Sequence, residues 1–320
     1  LSRDGGEGTR GEKAPTRRFR TYHEADDGAG SDVLDQVVAQ RRRLAARLEE
    51  VGRVVVLASG KGGVGKSALT ANLAAALAAR GHAVGAVDAD LNGPSLARML
   101  GVSGARLGDG PGGVVPPESS HGVRVVSMEL LQGAADTPLS WKGPEEDRYI
   151  WQSAVETGAL REFLSDVAWG RLDFLLVDVP PGTDKIGRLL ELVPDPDAIL
   201  LVTTPSEISR FVVSKSARLA TESSEGMVGL VMNMTHFVCP DCGGETPLFP
   251  GGEEPAERST GDLEVWARVP FAPELGSATE RGVPPAGSGA DETARLGPAL
   301  RALDRLVTRL ESLPGPGDER

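Results

Sequence analysis

The chain has 320 residues, 40% of them hydrophobic, with 46 acidic against 34 basic side chains and a formal net charge of −12. That apolar share supports a sizeable core, and the length suits one large domain or two small ones. The acidity argues against a broad grip on nucleic acid, which needs clustered Lys and Arg. No apolar run approaches the roughly 18 residues of a membrane span, so no stable membrane insertion is expected.

Residues 1–30 are rich in Gly, Arg, Glu and Asp without apolar periodicity, and are expected to be a disordered tail with no signal-peptide core. With only two cysteines and no signal segment, the chain reads as cytoplasmic. In 31–50, Ser31 or Asp32 can cap a leading helix with a broken apolar stripe. From 51 to 312 the pattern alternates and reads as one domain. RVVVLA (53–58) is a strand of the buried parallel kind, and SALTANLAAALAAR (67–80) is a helix closed by Gly81. Strands follow at 83–88 and, after a Pro/Gly-rich loop at 104–117, at 123–128; 145–168 reads as a helix. Strands at 172–178, 197–203, 227–233 and 264–270, with helices at about 206–222 and 291–312, complete the series before a short tail at 313–320. Alternation of this kind implies an α/β fold, a doubly wound and mainly parallel sheet with helices on both faces.

The strongest motif is Gly60-Lys61-Gly62-Gly63-Val64-Gly65-Lys66-Ser67, which fits G-x-x-x-x-G-K-[ST] between a strand and a helix. Its glycines permit positive φ and let backbone amides, with the positive end of the following helix, cradle phosphates. Lys66 is placed to reach the β- and γ-phosphates of ATP, and Ser67 to offer its hydroxyl to Mg²⁺. Asp88 ends a strand, with Asp90 just beyond it, where ligands of such sheets sit. Asp88 has a plainer alternative, holding a turn. Asp178 ends the apolar run LDFLLVD and should reach Mg²⁺ through water; Gly182, after Pro180-Pro181, can present its amide to the γ-phosphate.

The second lysine, Lys61, makes the loop resemble the deviant Walker A of the MinD/ParA/nitrogenase-iron-protein class. That resemblance implies a P-loop NTPase fold and a homodimer in which Lys61 reaches the partner's nucleotide and supplies charge in trans. It also implies that Asp90 positions the attacking water.

DADLNGPSLARMLG (88–101), WKGP (141–144), WGRLDFLLVDVPPGT (169–183), TTPSEISRFVVSKS (203–216) and NMTHFVCPDCGG (233–244) together resemble the narrower Mrp/ApbC-type ATPases, carriers in iron–sulfur cluster assembly. The likeness runs from about 53 to about 285. It implies slow ATP hydrolysis and a [4Fe-4S] cluster bridging two copies through Cys239 and Cys242. Its partners would be a cluster donor and recipient apoproteins. By the same analogy Asn233 would read the adenine edge and Pro270 would line the base pocket. The chain departs from the family at Asp184-Lys185, where a small–acidic pair is usual, and at Lys142, where Arg is usual. Lys185 places a positive charge in switch II, where it bears on hydrolysis or its coupling to the cluster. No cysteine cluster and no small α/β domain precede the loop in this sequence.

Cys239 and Cys242, in a metal-binding segment at 233–250, admit a disulfide staple, a zinc half-site, a redox pair or an iron–sulfur half-site. A two-fold axis would turn two thiolates into the four that a cluster wants. Zinc takes the same ligands. A redox pair usually needs a helix N-terminus, and here a strand precedes the pair and Gly-Gly follows it. His236 is a candidate outer ligand. On the last helix, Leu296, Leu300, Leu303, Leu306, Val307 and Leu310 share one face. Asp304 and Glu311 dilute the positive charge of this helix, so the face is read as packing on the sheet; the rival reading is the membrane helix of a MinD/ParA-like positioning or partitioning ATPase acting on membrane or DNA.

Overall fold

The computed structural model describes residues 32–91, 93–131, 148–249, 263–287 and 295–315. The expected N-terminal tail, Asn92, the WKGP block and the last residues of the C-terminal tail lie outside them. The chain divides into residues 1–39 and 40–320. The described part of the first unit is the opening of helix α1 (Asp32–Leu48).

In the second unit, β1 (Val51–Ala58) lies at the centre of a sheet ordered β10-β8-β7-β1-β6-β2-β5. Its neighbours are β2 (Val84–Asp88), β5 (Arg124–Val126), β6 (Leu172–Asp178), β7 (Ala198–Thr203), β8 (Met227–Val238) and β10 (Val265–Phe271). All of these pairings are parallel. An eighth strand, β9 (Glu245–Pro247), runs antiparallel to the end of β8. The β-branched runs fit this position because both sheet faces are covered. Val55 and Leu57 point into one apolar layer, Val54, Val56 and Ala58 into the other.

One layer is closed by α2 (Lys66–Ala79), α3 (Leu96–Met99), α7 (Pro273–Glu280) and α8 (Gly297–Glu311). The other includes residues of α1, α4 (Arg148–Ser165), α5 (Thr183–Leu190) and α6 (Glu207–Ser223). On α8, Leu303, Leu306, Val307 and Leu310 are at most 1% exposed, so the apolar stripe is core and not a free amphipathic face. Arg80 at the end of α2 pins this helix by ion pairs to Asp304 and Glu311. Among the described residues no helix is long and apolar enough to cross a membrane.

The structure adds elements to the pattern. The loop at 104–117 contains a hairpin, β3 (Gly108–Gly110) and β4 (Gly113–Val115). Its Val114 exchanges backbone hydrogen bonds with Asp166 and Ala168 at 3.0 and 2.7 Å. Helices α3, α5 and α7 are four to eight residues long, and periodicity is weakest over such lengths. The strand read as ending at 233 continues to Val238.

Candidate functional site

The glycine-rich loop leaves the carboxyl end of central β1 and enters α2, at the crevice where doubly wound sheets bind ligands. Gly63 and Gly65 have φ of 77° and 79°, which L side chains rarely adopt. Gly65 has a second constraint: a Cβ there would lie 2.4 Å from Asn233 Nδ2. The first turn of α2 holds no acidic residue, so nothing within it neutralises the positive helix end. Lys66 is 6% exposed, and its ammonium pairs with Asp178 Oδ1, the end of the neighbouring strand. Thr70 Oγ1, one turn along, donates to the same oxygen at 3.2 Å.

Asp178 Oδ2 is buried and has no hydrogen-bond partner among the described residues. A hard divalent cation seeks such an oxygen donor, and Ser67 at the start of α2 adds a hydroxyl. The donor set therefore fits magnesium.

Asp88 ends β2 in register with Asp178. Its oxygens accept from the backbone amides of Asp90 (3.1 Å), Ser95 (2.8 Å) and Leu96 (2.9 Å). Burial and then the Asp178 charge push its carboxyl up to about 7, against the pull of those amides. These contacts give Asp88 the turn-holding geometry, tying the amides of Asp90, Ser95 and Leu96 to the end of β2. Asp90 itself is half-buried, and its Oδ1 accepts from Gly93 N at 3.1 Å.

Lys61 is half-exposed, and its Nζ donates to Ser206 Oγ at 3.3 Å, at the start of α6. This partner lies 145 residues away in the sequence, beyond what motif spacing can reveal. Gly182 has φ 125°, and its amide donates to Ser59 O at 2.9 Å. Presenting that amide to a phosphate would require this bond to open. Lys185 and Arg188, with Leu160, Val179 and Pro180, line a cleft beside this segment.

The cysteine pair lies at the tip of the β8–β9 hairpin. Cys239 N donates to Gly244 O at 2.9 Å and Gly243 N to Cys239 O at 2.8 Å, a turn completed by Gly243 at φ 71°. Cys239 is half-buried and Cys242 exposed, both as free thiols. Amides of Cys242 and Asp241, and the Cys242 side chain, lower the Cys239 thiol below its ordinary value. The pair sits on no helix. His236 Nδ1 lies 2.9 Å from the Thr235 hydroxyl, and its Nε2 is 3.9 Å from Glu245. Among the described residues no three or more His, Cys, Asp or Glu side chains gather as a metal site, so one chain offers two thiolates.

Asn233 lies six positions before Cys239 on the same strand, against the loop. Its Nδ2 donates to Val64 O at 2.9 Å, and its Oδ1 accepts from Met234 N at 3.0 Å. Pro270 is buried on the adjacent β10, next to Val269, which pairs with Asn233. Thr70, Ser206 and Met234 are the residues that sequence reasoning missed. Thr70 follows the motif lysine by one helical turn, which is the one signal that could have found it.

The sheet order, the loop at the end of β1 and the buried Lys66–Asp178 pair define a P-loop ATPase. The family profile described as ParA, NUBPL iron-transfer P-loop NTPase, matches residues 50–307, and the chain belongs to this family. It is 38% identical over 255 residues to the "Iron-sulfur cluster carrier protein" of Methanocaldococcus jannaschii, covering 79% of this chain and 84% of that one. The protein of the same name from Mycobacterium leprae is 38% identical over 278 residues, covering 84% and 68%. Among solved structures, the nucleotide-binding protein of Archaeoglobus fulgidus in complex with ADP superposes with TM-score 0.64 at 31% identity, covering 79% of this chain and 95% of that one. MinD of Aquifex aeolicus, in its complex with MinC, shares the fold at TM-score 0.55 and 22% identity, over 83% and 98%.

Proposed function

We propose that the protein is a homodimeric, ATP-dependent carrier of iron–sulfur clusters. It binds a [4Fe-4S] cluster as cargo between Cys239 and Cys242 of two copies, hydrolyses ATP slowly, and passes the cluster from a donor to recipient apoproteins. The observation that carries this reading is the cysteine pair itself. Two free thiols stand at a hairpin tip, one with a lowered pKa, in a family of iron-transfer NTPases. One chain supplies half of a four-thiolate site, and a two-fold axis supplies the rest.

In this reading the amides of Gly60 to Gly65 cradle the phosphates. Lys66 moves from Asp178 to the β- and γ-phosphates, while Thr70 keeps its bond to Asp178 Oδ1 and Oδ2 faces the cation site. Ser67 and Asp178 would hold magnesium, which, when bound, neutralises charge on the phosphate oxygens. Lys61 exchanges Ser206 for the nucleotide of the second copy, and Asp90 orients the attacking water. Asp88 acts from behind by holding the 90–96 turn. Gly182 gives up Ser59 O to approach the γ-phosphate, and Asn233 and Pro270 flank the base.

Anaerobic reconstitution with iron and sulfide tests the carrier reading, comparing wild type with Cys239→Ser. Wild type should take up iron and sulfide in equal amounts, about two of each per chain, and sediment as a dimer. The variant should hold neither. Uptake no greater in wild type than in the variant, or tight zinc binding without sulfide uptake, would overturn the carrier reading.

A further inference from the structure

Among the described residues Met234 is the one non-glycine residue with a left-handed backbone, at φ 56°. Such a conformation persists only where the surroundings enforce it, and it clusters at switch regions and sites. Two sets of contacts enforce it here.

The first comes from the P-loop. Asn233 bridges Val64 O and Met234 N through its two amide atoms, at 2.9 and 3.0 Å. A Cβ added at Gly65 would stand 2.4 Å from Asn233 Nδ2 and 3.2 Å from Met234 Cε, so both side chains rest on the backbone of the phosphate loop. The second comes from β10. Val269 pairs with Asn233, yet Phe271 pairs with Phe237, so β8 takes four steps while β10 takes two. The residue between them on β10 is Pro270, which has no N–H to donate. Met234 therefore occupies a bulge, a feature that re-aims a strand beside a site.

Beyond the bulge the strand is held. Thr235 Oγ1 donates to Val269 O at 3.3 Å, and His236, Phe237 and Val238 pair with β9. Cys239 follows, its N–H still in the ladder at 2.9 Å from Gly244 O.

We infer that Met234 is a positioning residue that couples nucleotide occupancy of the P-loop to the geometry of the cysteine pair. The inference deepens the carrier reading by assigning the route from ATP to thiolates. A phosphate seated in the loop fixes the Val64 carbonyl and Gly65, and the Asn233 bracket follows them. The left-handed well is narrow for a residue with a Cβ. Met234 therefore passes the displacement to the hairpin instead of absorbing it. A glycine at this position would absorb it.

The test uses metal-free, reduced full-length protein, at a dilution where sedimentation shows a monomer. Maleimide alkylation of Cys239 and Cys242 is timed with and without saturating MgADP. In wild type the nucleotide should change the rate on the order of fivefold or more. Met234→Gly, which fits a left-handed backbone without strain, should bring that ratio to about one. Met234→Leu, which keeps the Cβ and the apolar contact, should restore it, a rescue that a merely structural role would not require. A wild-type rate indifferent to MgADP, or a Met234→Gly ratio equal to that of wild type, overturns the inference. The readout contains no cluster, so failure of iron and sulfide uptake would overturn the carrier reading alone.

Discussion

Lys66 and Asp178 form a buried ion pair between the mouth of the phosphate loop and the end of β6, with side chains 7% and 0% exposed. The pair ties the loop to the strand beside it, and it places Lys66 one side-chain movement from the phosphates it is proposed to bind. Removing one partner of such a pair leaves an uncompensated buried charge.

Lys66→Ala should therefore do more than abolish nucleotide binding. It should lower stability by about 3–5 kcal/mol, because Asp178 is left charged and unpaired. Adding Asp178→Asn should recover most of the stability and none of the binding. Urea midpoints and an ADP titration separate the two effects, and a Lys66→Ala protein as stable as wild type would contradict the pair.

Lys61 donates to Ser206 within its own chain at 3.3 Å, and the proposed action across a dimer would require this bond to open. Lys61→Ala should reduce ATP turnover on the order of 100-fold while some binding persists. Ser206→Ala should shift ATP-dependent dimerisation about two- to fivefold toward the dimer, the size of one modest hydrogen bond. Turnover and sedimentation measure both; a Lys61→Ala enzyme as fast as wild type removes the trans role.

Glu162 supplies a pH dependence. Burial, and then the charge of Asp166, raise its carboxyl from 4.5 to about 7. A raised carboxyl favours the folded state while protonated, so its contribution is complete below about pH 4.5 and is lost as pH rises through about 7. Glu162→Gln should accordingly stabilise the protein at about pH 8 and have little effect at about pH 5. The side chain is half-exposed, so solvent screening limits the gain to about 1 kcal/mol. Denaturation midpoints at the two pH values check the sign.

Leu306 on α8 is 0% exposed. Leu306→Ala should cost about 2–5 kcal/mol of stability by opening a cavity in the layer over β10. If α8 were instead a surface membrane anchor, the substitution would leave the melting temperature unchanged and weaken liposome binding.

The sequence by itself determined the alternation of strands and helices, the phosphate loop and the pairing of two thiols. Each is written in local chemistry: β-branched runs of strand length, glycines where φ must be positive, cysteines three positions apart. Short elements were not legible, because α5 and α7 are eight residues each and the β3–β4 hairpin finds its partner more than 50 residues away at Asp166 and Ala168. The last helix and its packing on the sheet were legible, and the fold lays its apolar face in the layer over β10. Only the tertiary structure decided that Lys66 faces Asp178, that Lys61 rests on Ser206, and that Asp88 holds a turn with both oxygens. It also joined two motifs that looked separate. The cysteine hairpin is the continuation of the strand whose Asn233 and Met234 press on the phosphate loop. The physical reason is range: the Lys66, Lys61 and Asn233 contacts span more than 100 residues in sequence, and only strand order brings their ends within hydrogen-bond distance.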